Sequence, residues 1–393
     1  MNTMAIPAAI AAIEEEMIAL RHEIHAHPEL GFEEFVTSDL VAQRLTEWGY
    51  EVHRGLGGTG VVGTLKVGEG AQRLGLRADM DALPIHENTG LDYASRIPGK
   101  MHACGHDGHT AMLLAAAKNL AQSRNFSGTL HLIFQPAEEG LGGAKRMLDE
   151  GLFERFPCDA VFAMHNMPGF PTGKLGFRAG PFMASSDTVI IDIDGRGGHG
   201  AVPHKAIDPV VVCANVVLGL QTIVSRNVPP LDMAIVTVGA IHSGDAPNVI
   251  PQTAQMRLSV RALRPEVRDL LQERITALVH AQASAYGATA RIDYQRRYPV
   301  LVNDAAMTAF AQDVARDWLG EDGLIHDMAP LTGSEDFSFL LERCAGSYLI
   351  IGNGNGDGEG GCMVHNPGYD FNDDCLATGA AYWVQLAERF LRG

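Results

Sequence analysis

Apolar residues recur every three to four positions between Pro7 and His25, at Ile10, Ile13, Met17, Leu20 and Ile24. That is the period of a helix with one buried face, and the pattern stops at His27-Pro28. Glu33 to Trp48 predicts a second helix ending at Gly49, and Tyr50–Arg54, Val61–Val67 and Arg73–Arg77 predict strands separated by glycine-rich turns. A helix over Thr110–Gln122 follows, then apolar strands at Thr129–Phe134 and Ala160–Met164 with a helix at Gly143–Asp149 between them. This alternation predicts an α/β fold whose mixed central sheet is flanked by helices on both faces. Such sheets bind their ligands beyond the carboxyl ends of the strands.

The middle of the chain changes rhythm. Thr188–Asp194 predicts a strand, Ile207–Val224 a helix, Met233–Ile241 and Gln255–Ala262 strands, Pro265–Tyr286 a helix and Thr289–Gln295 a strand. The order β-α-β-β-α-β is that of an α+β, ferredoxin-like unit. It predicts an insertion over 185–298 within an α/β domain formed by 1–184 and 299–393. The returning segment carries a helix from Asp304, another around Phe337–Leu341, a strand at Tyr348–Ile351 and a last helix at Ala377–Phe390. Gly352–Gly361 predicts a mobile loop.

Composition narrows the function. The chain of 393 residues carries 47 acidic and 30 basic residues, a formal charge of −17. A phosphate backbone or an anionic bilayer needs the opposite balance, so neither nucleic acid nor a membrane is an expected partner. No uninterrupted apolar run has the length of a membrane span, and Met1–Ile13 has no basic flank of a signal peptide. The six cysteines at 104, 158, 213, 344, 362 and 375 form no CxxC pair. This predicts free thiols and a cytoplasmic protein. Histidine is abundant, 16 against 11 for tryptophan and tyrosine together, which directs attention to metal ligands and acid–base groups.

Three clusters fall at the ends of predicted strands. They are Arg77-Ala78-Asp79-Met80-Asp81, His102-Ala103-Cys104-Gly105-His106-Asp107-Gly108-His109, and Gln135-Pro136-Ala137-Glu138-Glu139-Gly140. His165 follows another strand and His365 follows the glycine-rich loop. Each alone has an ordinary explanation, as a packed histidine, a solvated loop or a turn cap. Together they put thiol, imidazole and carboxylate where an α/β sheet holds its ligand. That donor set suits Zn and tolerates Mn, Co or Ni. Cys104, His106, Glu139, His165 and His365 are more ligands than one catalytic ion needs, whereas two ions ~3.5–4 Å apart would use them all. Of the adjacent Glu138 and Glu139, side chains on extended backbone diverge, so one is expected to ligate and the other to move a proton.

Other motifs fail on context. Gly55-Leu56-Gly57-Gly58-Thr59-Gly60 fits GxGxxG, but a strand pattern follows instead of a helix, which predicts a hairpin turn. There is no P-loop, GxSxG or HExxH. A Cys104 nucleophile activated by His106 or His109 is a competing reading, but it leaves Glu138, Glu139 and His165 without a joint role.

Arg21 to Phe32, Arg77 to Pro84, Met101 to Thr110, Phe134 to Gly140 and Gly333 to Phe337 resemble, in order and over the whole chain, the M20 metallopeptidase family. The similarity is to its amidohydrolase branch, which includes hippurate hydrolase, N-acyl-L-amino acid amidohydrolases and plant auxin-conjugate hydrolases. The resemblance implies a catalytic domain with two divalent metal ions and a smaller lid domain that forms a homodimer. It implies that Cys104, His106, Glu139, His165 and His365 hold the ions and that Glu138 is the general base. The family's broader His-x-Asp pattern reads Asp79-x-Asp81 here, which implies that His106 supplies the imidazole. Asp79 and Asp81 would then orient ligands or handle protons with Glu138.

In the lid, Gly197-Gly198-His199 resembles the family's Gly-Gly-His segment. This implies that His199 donates to the oxyanion from the partner subunit. Asn248 and Arg261 look like the residues that hold the substrate carboxylate. The implied reaction is hydrolysis of the amide bond of an N-acyl-L-amino acid, with dipeptidase or carboxypeptidase activity as the alternative. The acyl group stays open.

Overall fold

The computed structural model describes residues 6–356, 358 and 360–392. The chain divides into two compact units, one of Met1–Gly180, Val302–Ala329 and Asp336–Gly393, the other of Pro181–Leu301 and Pro330–Glu335.

In chain order, α1 (Glu14–Ala26) and α2 (Phe35–Glu47) precede β1 (Glu51–Leu56), β2 (Gly60–Val67) and β3 (Arg73–Asp79). Next come α3 (His106–Ser123), β4 (Gly128–Gln135), α4 (Gly143–Asp149), β5 (Ala160–Pro168) and the short β6 (Leu175–Gly176). The second unit contains β7 (Ser186–Asp194), β8 (Gly198–His199), α5 (Pro209–Arg226), β9 (Ala234–His242) and β10 (Val249–Ile250). It continues with β11 (Thr253–Ala262), α6 (Pro265–Ala285) and β12 (Thr289–Tyr298). The chain returns to the first unit with α7 (Ala305–Leu319), β13 (Leu324–Ile325), β14 (Gly346–Gly354) and α8 (Leu376–Phe390).

The first unit is built on a mixed sheet in the order β1-β2-β4-β3-β5-β14-β6-β13. Its centre is parallel, with registers Asp79↔Gln135, Leu74↔Ala160 and Ile350↔His165. Strands β4, β3, β5 and β14 therefore present their carboxyl ends along one edge. Leu74, Leu76, Leu130, Leu132, Phe162 and Ile351 are fully buried, as befits a parallel sheet covered on both faces. Helix α3 is buried along most of its length, and its alanine-rich face packs against α8. There Gly379 is needed for close approach, because a Cβ would lie 2.0 Å from Met112 Sδ.

Three local differences from the sequence reading have physical causes. Helix α3 begins at His106, not Thr110, because Gly105 at φ 90° turns the incoming chain and lets His106 enter the first helical turn. Strand β5 runs through Pro168, so His165 lies within a strand and does not follow one, since β14 pairs along its full length. Gly352–Gly354 continue β14 and do not open a loop, while positions 357 and 359 of the expected mobile loop lie outside the described residues. The Gly55–Gly60 motif forms the β1–β2 hairpin turn, with Gly57 and Gly58 at positive φ and Gly58 N–H donating to Gly55 O.

The second unit is a four-stranded antiparallel sheet, β9-β11-β7-β12, that packs against α5 and α6 with ferredoxin-like connectivity. The buried residues of β7 alternate strictly, Asp187, Val189, Ile191 and Ile193. Helix α5 is long and apolar enough to cross a membrane by length and composition, yet it buries Val212, Cys213, Val216, Leu220 and Ile223. Pro330–Glu335, read from the sequence as part of the returning α/β segment, clusters instead with this unit. Leu331 N–H donates to Phe182 O at 2.7 Å and Ala184 N–H to Gly333 O at 2.8 Å.

Asp187 is a buried carboxylate inside this unit. It receives Arg268 Nε at 3.1 Å and NH2 at 2.6 Å, together with Tyr294 OH at 3.2 Å. Arg268→Met leaves that carboxylate buried and unpaired, and is expected to destabilise the unit by ~3–5 kcal/mol. Adding Asp187→Asn should recover part of the loss, both read from urea unfolding midpoints.

Candidate metal centre

The carboxyl ends of the parallel strands deliver the chemistry. Asp79 ends β3 and Asp81 follows it, beyond β4 lie Glu138 and Glu139, and β5 carries His165 near its end. Cys104 and His106 straddle Gly105 at the start of α3. A Cβ at Gly105 would lie 2.3 Å from Asn166 Oδ1 and 2.5 Å from Tyr369 OH, so only glycine fits between Cys104 and His106. His365 is reached from β14 and hangs its backbone N–H on Ala103 O at 2.7 Å.

These side chains converge in overlapping groups whose ligand atoms lie within 4.8 Å of one another. One group is Cys104, His106 and His165, a second is Cys104, Glu139 and His365, and a third is His106, Glu138 and Glu139. Cys104 Sγ is 3.3 Å from His165 Nε2, and His365 Nε2 is 3.2 Å from Glu139 Oε1. The five candidate ligands are thus brought together within the first unit, with Glu138 beside them.

Asp81 organises the cluster. Its Oδ1 accepts from His106 Nδ1 at 3.2 Å and from Glu138 N–H at 3.0 Å, and its Oδ2 accepts from Glu139 N–H at 3.0 Å. His106 is thereby fixed with Nε2 turned toward the cluster, where that buried atom has no hydrogen-bond partner among the described residues. A carboxylate that takes one imidazole N–H and frees the other nitrogen is the usual support for a metal-bound histidine. His165 is fixed the same way, by donation from Nδ1 to Asn166 O at 2.5 Å.

The expectation that Glu138 and Glu139 diverge is not met, since both carboxylates reach His106. Ala137 takes a left-handed φ of 53°, uncommon for a residue with a side chain, and Gly140 follows at φ 76°. This kink aims two successive amides at Asp81. Glu34 holds it from behind, accepting from Ala137 N–H at 2.8 Å and from Thr59 OH at 2.6 Å.

Asp79 has a different task from Asp81. It accepts from Arg77 NH1 at 2.6 Å and from His109 Nδ1 at 2.6 Å. Burial would raise its pKa, but Arg77, His106 and His109 outweigh that and hold the carboxyl well below its ordinary value. His109 is not available as a ligand. Its Nε2 lies 2.8 Å from Asn166 Oδ1 and accepts from Asn166 N–H at 3.0 Å. Arg77 continues to Gln135 and Asp336, and Asp336 N–H approaches Glu138 Oε1 at 3.4 Å. Sequence reasoning gave His109 a part only in the competing thiol reading and assigned none to Asn166 or Asp336. The i, i+3 spacing of His106 and His109 on one helix face was the available signal for the first.

The electrostatics call for cations. Burial, reinforced by Glu139, Glu138 and Asp79, pushes the Cys104 thiol well above its ordinary pKa. Burial lowers the His106 pKa, but Asp79, Asp81 and Glu139 more than reverse this and hold it at about 10. Burial, reinforced by the neighbouring His109, pushes the His165 pKa well down, which favours the neutral ring with a lone pair to offer. A thiol, three imidazoles and carboxylates at this density fit divalent ions of the Zn, Mn, Co or Ni class. The same neighbours disfavour a thiolate and so work against Cys104 as a nucleophile.

The remaining candidates lie in the second unit. His199 and Asn248 come together on the β8–β10 ribbon, with Val249 paired to His199 and Gly200 N–H donating to Asn248 O at 2.8 Å. His199 Nδ1 accepts from Ala201 N–H at 3.0 Å, which places the proton of the neutral ring on the exposed Nε2. Arg261 sits at the far end of β11, its NH1 on Thr332 O at 3.1 Å. From Thr253, at the root of the ribbon, to Arg261 the strand spans ~26 Å at ~3.3 Å per residue.

Residues 75–389 match Peptidase family M20/M25/M40. The chain is 47% identical over 383 residues to a hippurate hydrolase of Campylobacter jejuni, covering 98% of each chain. It is 38% identical to thermostable carboxypeptidase 1 of Saccharolobus solfataricus, covering 97% of each. Among solved structures it resembles the YXEP protein of Bacillus subtilis, described as a dinuclear metal binding peptidase, with a TM-score of 0.84 and 33% identity over 97% of this chain and 99% of that one. A family match over most of the chain, on a fold that gathers metal-ligating side chains at the carboxyl ends of its parallel strands, leaves one conclusion: the chain belongs to peptidase family M20/M25/M40 and is a metal-dependent amidohydrolase.

Proposed function

We propose that this protein hydrolyses the amide bond of N-acyl-L-amino acids, releasing a carboxylic acid and a free amino acid. The observation that carries the reading is the convergence of Cys104, His106, Glu139, His165 and His365 around Glu138. In this reading those five residues hold two divalent ions. When bound, the ions supply Lewis acidity that polarises the acyl carbonyl and makes the attacking water more acidic.

The chain's own groups do the rest. Glu138, buried and flanked by the Asp336 amide, takes the proton of the attacking water and returns it to the leaving amine. Asp81 holds His106 and the Glu138–Glu139 turn in place, and Asp79 holds Arg77 and His109 behind them. His199 offers its Nε2–H to the developing oxyanion. Arg261, half-buried and lowered in pKa by that burial, and Asn248 recognise the carboxylate of the amino acid. Because Arg261 and the His199 ribbon lie at opposite ends of β11, the reading assigns His199 and Asn248 to the site of a second copy, which makes the working form a homodimer. The exposed apolar residues Val210, Val211 and Leu218 of α5 and Ile241 at the edge strand β9 support an interface on this unit. Six free cysteines suit a cytoplasmic setting. Removal of a C-terminal residue from a peptide uses the same groups, and the carboxypeptidase relative keeps that second reading in view.

Dialysis against a chelator should abolish release of the amino acid from an acylated panel, with recovery on adding Mn, Co or Zn; activity that survives metal removal would overturn the reading. Glu138→Gln should lower kcat on the order of 10²–10⁴-fold while elemental analysis finds native metal content. His199→Gln and Glu138→Gln proteins, each inactive alone, should regain about a quarter of native activity after subunit exchange, since half the dimers then carry one complete site. No recovery in exchanged dimers would place His199 in its own chain's site.

A further inference from the structure

The segment from Arg21 to Phe32 is among the most recognisable in the sequence, yet the chemistry above gives Arg21 and His25 no part. Arg21, on α1, is completely buried. Its NH1 donates to Asp107 Oδ2 at 3.1 Å and to Asp370 Oδ1 at 3.2 Å. Its Nε lies 2.6 Å from Asp373 Oδ1. The rings of Tyr93 and Phe371 cover the guanidinium, with centroids 4.8 Å and 5.7 Å from its carbon.

The partners of Arg21 stand directly behind candidate ligands. Asp107 is the second residue of α3, next to His106, and its Oδ2 is also 2.8 Å from His25 Nδ1. His25 Nε2 in turn lies 3.3 Å from Glu87 Oε1. Asp370 and Asp373 belong to the stretch that leads from His365 into α8, and Tyr93 OH donates to Asp370 Oδ2 at 2.6 Å. Tyr369 in the same stretch meets Asn166, the neighbour of His165, at 2.5 Å.

The two ends of this strut differ in what else holds them. His106 is fully buried and secured by Asp81 and by the first turn of α3. His365 has a side chain 52% exposed and a backbone φ of 67°, a conformation a β-carbon disfavours. Its local support is one backbone bond to Ala103 and the approach to Glu139. The position of His365 therefore depends on anchors farther along its own segment, and Arg21 ties two of them to the base of α3. A planar guanidinium can serve three carboxylates in fixed directions, which a lysine ammonium cannot.

We propose that Arg21 is a positioning residue for the metal pair. By bridging Asp107 to Asp370 and Asp373 it sets the spacing between His106 and His365, and so decides whether the site retains a second ion. This rests on the two-ion reading given above, and the test separates the two. The full-length protein is stripped of metal and titrated with Co(II) by calorimetry, with absorption spectra recorded and bound metal counted by elemental analysis. Native protein should take up two ions per chain, and uptake of fewer would sink the two-ion reading and this proposal with it. With two ions bound to the native protein, Arg21→Lys and Asp370→Asn should each keep one ion within about threefold of its native affinity and weaken the other ~10–100-fold. The thiolate-to-cobalt absorption of Cys104 should persist in both. Equal weakening of both ions, or a native two-ion isotherm in both variants, would overturn the assignment. Should Arg21→Lys fail to fold, Asp370→Asn and Tyr93→Phe decide, because both leave the buried Arg21–Asp107 pair intact.

Discussion

Asp81, almost fully buried, accepts hydrogen bonds from His106 Nδ1 and from the successive amides of Glu138 and Glu139. Those bonds fix three things at once: the tautomer and direction of His106, the backbone of Glu139, and the placement of Glu138, the proposed general base. A buried carboxylate is costly unless its lone pairs are filled. Here they are filled by the groups whose geometry matters most. The left-handed backbone at Ala137 and the glycine at 105 are local consequences, since neither two convergent amides nor two ligands on either side of a helix start can be built from ordinary extended chain.

The sheet makes this possible. Adjacent parallel strands β4, β3, β5 and β14 end along a common edge, so residues far apart in sequence emerge side by side. From β3 come the two aspartates, from β4 the two glutamates, from β5 His165, and beyond β14 His365. Polar groups behind that edge form a second layer. Arg77, His109, Asn166 and Asp336 are fully or almost fully buried and paired with one another or with ligand-bearing backbone. The arrangement concentrates negative charge in front and fixed hydrogen bonds behind, the condition under which divalent cations are held firmly and oriented side chains lose little entropy when substrate binds.

The second unit contributes a different geometry. Its β8–β10 ribbon and the far end of β11 separate His199 and Asn248 from Arg261 by the length of a strand. In the proposed reaction His199 and Asn248 come from a second copy of the chain, which ties that reading to assembly.

Much of this was legible in the sequence. The hydrophobic period distinguished the α/β unit from the β-α-β-β-α-β insertion, because side-chain burial repeats with the backbone period of each element. Residue type singled out Cys104, His106, Glu139, His165 and His365 as candidate ligands and Glu138 as a candidate base, and the folded chain brings those side chains together. Three features were decided only by tertiary structure. The convergence of Glu138 and Glu139 depends on a positive φ at Ala137 that alanine does not advertise. The division of labour between Asp79 and Asp81 depends on which cations and amides reach each carboxylate from β4, α3 and the Asp336 segment. The separation of Arg261 from Asn248 depends on register across β11. Local sequence sets which backbone and side-chain states are inexpensive, but directions and distances between remote residues arise only when the sheet has closed around its core.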